Sequence, residues 1–534
     1  MNLVEVNHLS VSFPDDDPYD GIEERDTIIR DVSLSIQKGE VLGLVGESGS
    51  GKSMSALSII RLLKQTARID GGEILFDGKN LLSLSEKELC DLRGLGISMI
   101  FQEPMTSLDP VMKIEPQVAE ALRLHFPHMS EAEIHQRVIK VLQDVGLPDP
   151  QAICMQYPHE LSGGMRQRVM IASALITEPK LLIADEPTTA LDVLIQAQIL
   201  DLLKEIHEKT GISILFISHD LNVIRRLCSR VIVMYHGKIV EEGETLRVLD
   251  HPRDEYTKTL VAHTPRVQTR PKDRVLLSMD KVTIYYPPRS FESSLFKKMP
   301  LEPYVFDASL TLRENEILGI VGGSGSGKST IGKVLTGLLG TYDGNIQVFG
   351  SDLKEVLKTP ERPQMIFQDP GSALNPSRTI GWTLMETLRS GLKARRKNET
   401  EKEMKEQILS MLREVDLSEE IYDRYPRELS GGQRQRVCIG QALLYDPEIL
   451  IADEPVSALD VTVSSQVLRL LLSLQEKRGM SIIFISHDMS IVRSICHRLL
   501  VLEKGRIVEE GDTETVFTHP QHPYTRQLIA ASML

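Results

Sequence analysis

The octapeptide Gly46-Glu47-Ser48-Gly49-Ser50-Gly51-Lys52-Ser53 has the spacing G-x-x-x-x-G-K-[ST], and Gly322-Gly323-Ser324-Gly325-Ser326-Gly327-Lys328-Ser329 repeats it. Glycines at these positions let backbone N–H groups curve around phosphate oxygens, and a helix opening at the lysine adds a favourable dipole. Lys52 and Lys328 are expected to reach the β- and γ-phosphates, and Ser53 and Ser329 to ligate Mg²⁺. One such loop could be an ordinary glycine-rich turn. Two, each following an apolar strand and opening a helical pattern over 54–63 or 330–339, leave that reading weak.

Asp185-Glu186 ends the apolar run 181–184, and Asp453-Glu454 ends its counterpart. A strand-end aspartate suits Mg²⁺, so Asp185 and Asp453 are candidate metal residues. The adjacent Glu186 and Glu454 are candidate general bases that deprotonate an attacking water. Alone, such a pair is an ordinary solvated strand end; the phosphate loops upstream reverse that preference. His219 and His487 follow another apolar strand and are expected to contact the γ-phosphate or to fix the glutamate. Gln102 and Gln368, in Phe101-Gln102-Glu103-Pro104 and Phe367-Gln368-Asp369-Pro370, can ligate Mg²⁺ or orient water. Ser162-Gly163-Gly164 and Ser430-Gly431-Gly432 lead into helices carrying Arg166, Arg168, Arg434 and Arg436, a second anion-binding surface. Two phosphate surfaces per unit are too many for one nucleotide. The expected arrangement is head to tail, each ATP held by the glycine-rich loop of one unit and the Ser-Gly-Gly of the other.

The elements that must position these residues come in two copies. Leu161-Ser162-Gly163-Gly164, Asp185-Glu186-Pro187, Ser218-His219-Asp220 and His251-Pro252 with Tyr256 all recur 268 residues further on. The chain is read as a tandem duplication, with one unit over 1–265, a polar linker over 266–274 and a second unit over 275–534. Continuous apolar runs at Val41–Val45, 181–184 and Ser213–Ile217, with partners at Ile317–Val321, 449–452 and Ser481–Ile485, suit parallel strands covered on both faces. Amphipathic helices follow them, as over 194–208. The fold class is therefore α/β. Residues 111–160 and 377–428 are charged with helical periodicity, and each is expected to be a helical subdomain inserted between two core strands.

With 61 Lys and Arg against 75 Asp and Glu, the 534-residue chain carries a formal charge of −14. That argues against a nucleic-acid or anionic-lipid surface. No run approaches the ~20 apolar residues of a membrane span, and no signal peptide is evident. The 5 cysteines are scattered with no C-x-x-C pair, which fits structural thiols in a reducing compartment.

Taken together, the loops, the glutamines, Leu-Ser-Gly-Gly, Asp-Glu-Pro, Ala-Leu-Asp at 190–192 and 458–460, and Ser-His-Asp resemble the nucleotide-binding subunits of ABC transporters, over nearly the whole chain. The stretches 103–110 and 369–376, and the tails with Tyr256-Thr257 and Tyr524-Thr525, resemble the dipeptide/oligopeptide/nickel importer subfamily, in particular its fused two-ATPase members. These are similar to the ATPases of microcin C-type peptide and glutathione importers. The resemblance implies two P-loop (RecA-like) ABC ATPase domains. It implies ATP contacts at Gly46, Ser48, Gly49, Gly51, Lys52, Ser53, Met54, Gln102, Ser162, Gly163 and Gly164. The matching second-half positions are Gly322, Ser324, Gly325, Gly327, Lys328, Ser329, Thr330, Gln368, Ser430, Gly431 and Gly432. Phe13 and Tyr286 fall where the family stacks an aromatic on adenine. The implied metal residues are Ser53, Gln102, Asp185, Ser329, Gln368 and Asp453. Expected partners are two permease subunits and an extracytoplasmic substrate-binding protein, with the chain peripheral on the cytoplasmic face of the cell membrane. Many first-half relatives carry a four-cysteine iron–sulfur cluster in the C-terminal tail; residues 255–276 hold no cysteine, so none is expected. Met165 stands where Gln433 keeps the common residue, Met54 stands for the usual threonine, and Asn315 stands where the first copy has Gly39. The alternative reading is a soluble tandem ABC ATPase acting on ribosomes or nucleic acid, disfavoured by the short linker and acidic charge. A tandem sugar-importer ATPase is disfavoured by the tails. The substrate is not encoded in this chain, and residues 15–26 and 287–304 are read as solvated loops.

Overall fold

A computed structural model describes residues 1–14, 25–102, 107–188, 192–262, 265–286, 301–457 and 459–533. Within the sequence features above, 103–106, Ala190, Leu191, Ala458 and most of 15–26 and 287–304 lie outside the described residues. Contacts divide the chain into two compact units that part after Ala262, with Asp192–Leu194 grouped with the second.

In the first unit the strands are β1 (Asn2–Pro14), β2 (Arg25–Gln37), β3 (Val41–Val45), β4 (Arg68–Phe76), β5 (Lys79–Asn80), β6 (Ile97–Ile100), β7 (Leu181–Asp185), β8 (Ser213–Ile217), β9 (Arg230–Tyr235) and β10 (Lys238–Glu244). The central sheet runs β10-β9-β3-β8-β7-β6. It is parallel from β9 to β6, with β10 antiparallel at the edge. Every residue of β3, β7 and β8 is buried, which is why they read as unbroken apolar runs rather than alternating ones. A second, antiparallel sheet, β2-β1-β4-β5, covers one face. Its Val4, Val6, Val11, Ile29 and Ile74 join Leu42, Leu44, Ile183 and Leu215 of the central sheet in one core. This sheet has no counterpart in the sequence reading.

The second unit repeats the plan. Its strands are β11 (Val275–Tyr286), β12 (Glu302–Arg313), β13 (Ile317–Val321), β14 (Tyr342–Val348), β15 (Ser351–Asp352), β16 (Gln364–Ile366), β17 (Ile449–Asp453), β18 (Ser481–Ile485), β19 (Arg498–Glu503) and β20 (Arg506–Asp512). They order as β12-β11-β14-β15 and β16-β17-β18-β13-β19-β20. The helical subdomains stand where the periodicity puts them. Ile114–His125 and Glu131–Asp144 lie between β6 and β7, and Ile380–Ala394 and Glu401–Glu414 between β16 and β17.

The helices opening at the lysines are shorter than their sequence pattern. They span Lys52–Ile59 and Lys328–Leu335 rather than reaching 63 and 339. In the first, Arg61 takes φ 51° and Leu62 N donates to Leu57 O while Arg61 N donates to Ser58 O. Gly337 at φ 75°, with Leu338 N to Lys333 O, closes the second in the same way. A left-handed residue satisfying the last carbonyls ends a helix whatever apolar residues follow.

The linker residues are tied to the second unit. Val267 N donates to Ser494 O, Thr269 Oγ1 to Gln475 Oε1 at 3.0 Å, and Asn315 Nδ2 to Arg270 O at 3.0 Å. His497 Nδ1 accepts from Ile317 N, so its proton is on Nε2, which donates to Thr269 O at 2.8 Å.

Candidate nucleotide-binding sites

Each glycine-rich loop follows a buried strand, β3 or β13, and turns back through positive φ. Gly46 sits at φ 152° and Gly322 at φ 155°. A Cβ on Gly46 would lie 2.2 Å from Met234 O, and one on Gly322 2.1 Å from Leu502 O. Only glycine fits where the loop crosses the end of β9 or β19.

Lys52 and Lys328 are each only 6% exposed. Lys52 Nζ donates to Gly46 O at 2.8 Å and Glu47 O at 2.7 Å. Lys328 Nζ donates to Gly322 O at 2.8 Å and Gly323 O at 3.0 Å. Burial holds the Lys328 ammonium below its ordinary value. An ammonium that donates to neutral carbonyls can exchange them for the stronger, charged acceptor of an anion that enters the loop.

Ser53 Oγ donates to Asp185 Oδ1 at 3.1 Å, and Ser329 Oγ to Asp453 Oδ1 at 2.9 Å. Both aspartates are nearly fully buried. Burial pushes the Asp185 carboxyl up to about 6, with the Glu186 charge adding to it and the Ser53 bond opposing it; Asp453 is raised for the same reasons. A hydroxyl beside a buried, destabilised carboxylate is a donor set suited to a hard cation that takes its other ligands from phosphate and water. Among the described residues no cluster of three or more His, Cys, Asp or Glu could hold a metal ion by itself.

Glu186 and Glu454 both adopt φ 47°, just past β7 and β17. That left-handed turn is rare for a side chain with a Cβ and marks strain held by its surroundings. It brings each carboxylate between two partners. Gln102 Nε2 donates to Glu186 Oε2 at 2.9 Å, and His219 Nδ1 lies 3.2 Å from Oε1. Gln368 Nε2 donates to Glu454 Oε2 at 2.8 Å, and His487 Nδ1 lies 3.2 Å from Oε1. Hydrogen bonding to the glutamates raises both imidazoles above their ordinary value against the opposing effect of burial. Burial works to raise Glu454, but the His487 bond and charge outweigh it and hold the carboxyl low. Thus the histidines meet the glutamates rather than standing apart from them, and so do the glutamines. Neither glutamine is bonded to the Ser53–Asp185 or Ser329–Asp453 pair.

Ser162 and Ser430 are the N-caps of helices Gly163–Leu175 and Gly431–Leu443, accepting from Met165 N and Gln433 N. Gln433 Oε1 also accepts from Ser430 N at 3.0 Å, closing a reciprocal cap that Met165 cannot make. A Cβ on Gly164 would lie 2.7 Å from Ile195 Cγ2, and one on Gly432 2.4 Å from Val463 Cγ1. The second glycine of each Ser-Gly-Gly is thus required by close packing against the following long helix.

Phe13 is half-buried against the core of the first unit. Tyr286 meets Tyr304 edge to face at 5.5 Å, and Tyr304 Oη donates to Gly325 O at 2.9 Å. Tyr304 closes the segment 287–304 read as a solvated loop, but residues 302–304 belong to β12, as 25 and 26 belong to β2, so both loop readings reach too far. Tyr256 and Tyr524, read only as markers of the tails, both bond the glycine-rich loops: Tyr256 Oη accepts from Glu47 N at 2.9 Å and Tyr524 Oη from Gly323 N at 2.7 Å. Their shared 268-residue offset was the available signal.

A buried lysine in a glycine-rich loop, a serine–aspartate pair and a glutamate held by glutamine and histidine, present in each of two α/β units, define a tandem P-loop ATPase. The ABC transporter family matches residues 29–189 and 305–457. The family described as oligopeptide/dipeptide transporter, C-terminal region, matches 240–281 and 508–533. Residues 156–225 also match one described as AAA domain, putative AbiEii toxin, Type IV TA system, overlapping the first ABC match. The chain is 42% identical over 541 residues to the uncharacterized ABC transporter ATP-binding protein YejF of Escherichia coli (strain K12), covering 100% of both. It is 42% identical to the peptidoglycan transport ATP-binding protein YejF of Agrobacterium fabrum, over 99% of this chain and 96% of that one. It is 43% identical to the glutathione import ATP-binding protein GsiA of Salmonella typhimurium, over 94% of this chain and 86% of that one. The chain therefore belongs to the ATP-binding proteins of ABC transporters, with the oligopeptide/dipeptide C-terminal region in both halves, and it is an ATP-hydrolysing enzyme. Among the described residues no helix is long and apolar enough to cross a membrane.

Proposed function

We propose that this chain is the energy-coupling ATPase of an importer for short peptides or peptide-like compounds, with ATP-binding units at 1–265 and 275–534 joined by 266–274. The observation that carries the reading is the oligopeptide/dipeptide C-terminal region, present twice. The relatives' names point the same way: glutathione is a tripeptide and peptidoglycan carries short peptides. Two permease subunits would supply the pathway and an extracytoplasmic protein the substrate. The chain would sit peripherally on the cytoplasmic face.

In this reading Lys52 and Lys328 leave the loop carbonyls for the β- and γ-phosphates of ATP, and Gly46, Ser48, Gly49, Gly51, Met54 and their counterparts offer backbone N–H groups. Ser162, Gly163 and Gly164, with Ser430, Gly431 and Gly432, form a second phosphate-binding surface in each unit. Phe13 and Tyr286 stack on adenine. Ser53 with Asp185, and Ser329 with Asp453, would hold Mg²⁺, which neutralises developing phosphate charge when bound. Glu186 and Glu454 accept the proton of the attacking water, while His219 and His487 aim the carboxylates and His487 holds Glu454 ionised. Gln102 and Gln368 hold the second carboxylate oxygen.

The test is uptake. Deleting the gene should abolish growth on a short peptide as sole nitrogen source, and two permeases should co-purify from gently solubilised membranes. Normal uptake, with the chain sedimenting with ribosomes in high salt, would replace this reading by a translation-associated one.

A further inference from the structure

We propose that Tyr256 and Tyr524 are positioning residues for the P-loop lysines, acting through one peptide group of each loop. The proposal rests on the assignment of the two loops to ATP. Gly46 O and Glu47 N belong to a single peptide unit. Lys52 Nζ donates to its oxygen at 2.8 Å, and its N–H donates to Tyr256 Oη at 2.9 Å. In the second unit Lys328 Nζ donates to Gly322 O at 2.8 Å, and Gly323 N donates to Tyr524 Oη at 2.7 Å. Each peptide plane is gripped on both edges. The residue supplying the N–H differs, Glu47 against Gly323, yet the contact is the same, so the tyrosine reads backbone and not side chain.

The tyrosines are themselves held firmly. Glu241 Oε2 accepts from Arg253 N and Asp254 N, each at 3.1 Å, and Asp254 Oδ1 accepts from Tyr256 N at 2.8 Å. Glu509 accepts from Gln521 N at 2.8 Å and His522 N at 2.9 Å. Thr257 and Thr525, next in sequence, are fully buried. The Tyr256 ring stacks on Tyr235 at 4.1 Å. A carboxylate, buried at Glu241 and half-buried at Glu509, thus anchors the start of each tail, and the tail delivers one hydroxyl to the loop.

The consequence appears when the lysine moves. On leaving for a phosphate it gives up the carbonyl, and one of the two grips on that peptide is lost. The tyrosine hydroxyl remains and keeps the plane from turning, so the loop stays shaped for phosphate without further ordering. The tail region, which lies outside the ABC-matched residues, becomes part of the ATP site's support.

The experiment uses the full chain with Tyr256→Phe, Tyr524→Phe and the double variant, which keep the ring and remove the hydroxyl. Loss of one neutral hydrogen bond should weaken ATP binding at the affected loop by about three- to tenfold. The expected pattern is a rise in ATP Kd and KM, a kcat within about twofold of wild type, and at most the slight fall in Tm that loss of one hydrogen bond brings. A lowered Tm with unchanged Kd would reduce the tyrosines to a structural role and overturn the proposal. A fall in kcat with unchanged Kd would overturn it too, by moving the effect to the chemical step. Lys52→Ala with Lys328→Ala separates the two readings. If that double variant abolishes nucleotide binding while the phenylalanine variants bind normally, the tyrosine inference fails and the ATP sites stand. If it binds ATP as wild type does, the site assignment itself fails.

Discussion

The two units agree closely at the nucleotide site and part company at the linker. Lysine to glycine carbonyl is 2.8 Å in both, and histidine to glutamate is 3.2 Å in both. Around the linker, the first unit has Gly39, His207 and Ser229 where the second has Asn315, Gln475 and His497. Gly39 and Asn315 share a left-handed backbone, at φ 69° and 63°, and both N–H groups reach a serine hydroxyl, Ser213 or Ser481. Only Asn315 adds a side chain, which bonds Arg270 O and accepts from Gln475 Nε2 at 2.8 Å. The copies have kept what meets ATP and diverged where one of them must hold the connecting chain. A smaller difference lies beside the loops. Tyr304, with its bond to Gly325 O, stands where the first unit has Ile28; among the described residues, a Cβ on Gly49, the counterpart of Gly325, would meet no atom within 4 Å.

The agreement breaks most sharply if one glutamate is idle. Glu186→Gln and Glu454→Gln each remove a general base without changing shape. The double variant should lose about 10²–10⁴ in ATPase rate, or about 3–5 kcal/mol in barrier, while still binding ATP. Equal losses from the single variants in steady-state assays would establish equivalent sites; one silent single variant would break the symmetry.

The linker difference should appear as stability. Gln475→Ala leaves half-buried partners on Asn315 and Thr269 unmet, a cost of about 0.5–1.5 kcal/mol for each hydrogen bond lost. Hydrogen exchange at the Val267 and Lys272 amides should accelerate accordingly. His207→Ala, at the matching place, should leave them unchanged.

The pH response tests the histidines. Their raised values mean that each imidazolium–glutamate pair stabilises the fold fully below the ordinary histidine value of 6.5 and is lost as pH rises through the higher folded value. NMR titration should place both histidines above 6.5. The Glu→Gln variants should bring them back down.

Smallest of all is the cap. Met165→Gln should give the first Ser-Gly-Gly helix the reciprocal bond that Gln433 makes, slowing exchange at its first turn by a factor corresponding to about 0.5–1 kcal/mol. Gln433→Met should do the reverse.

Much of this was legible in the residues. The central strands announced themselves because burial on both faces removes alternation. The P-loops did so because a glycine at φ near 150° and a lysine after a helix start admit few substitutes. The strand-end acids followed from the strands, and the duplication from its constant offset. The antiparallel sheet was not legible: its half-exposed strands carry register shifts in their pairing that blur the period-two pattern. Neither were the ends of the P-loop helices, set by one left-handed residue while apolar residues ran on. The sequence by itself determined which residue types were available for phosphate, metal and water, since those depend on local spacing. The tertiary structure decided who touches whom: that glutamine and histidine share the two oxygens of one carboxylate, that a serine meets an aspartate more than a hundred residues away, and that a tail tyrosine grips the loop. Such contacts form between strands and helices brought together by burial of the shared core, and no local pattern records them.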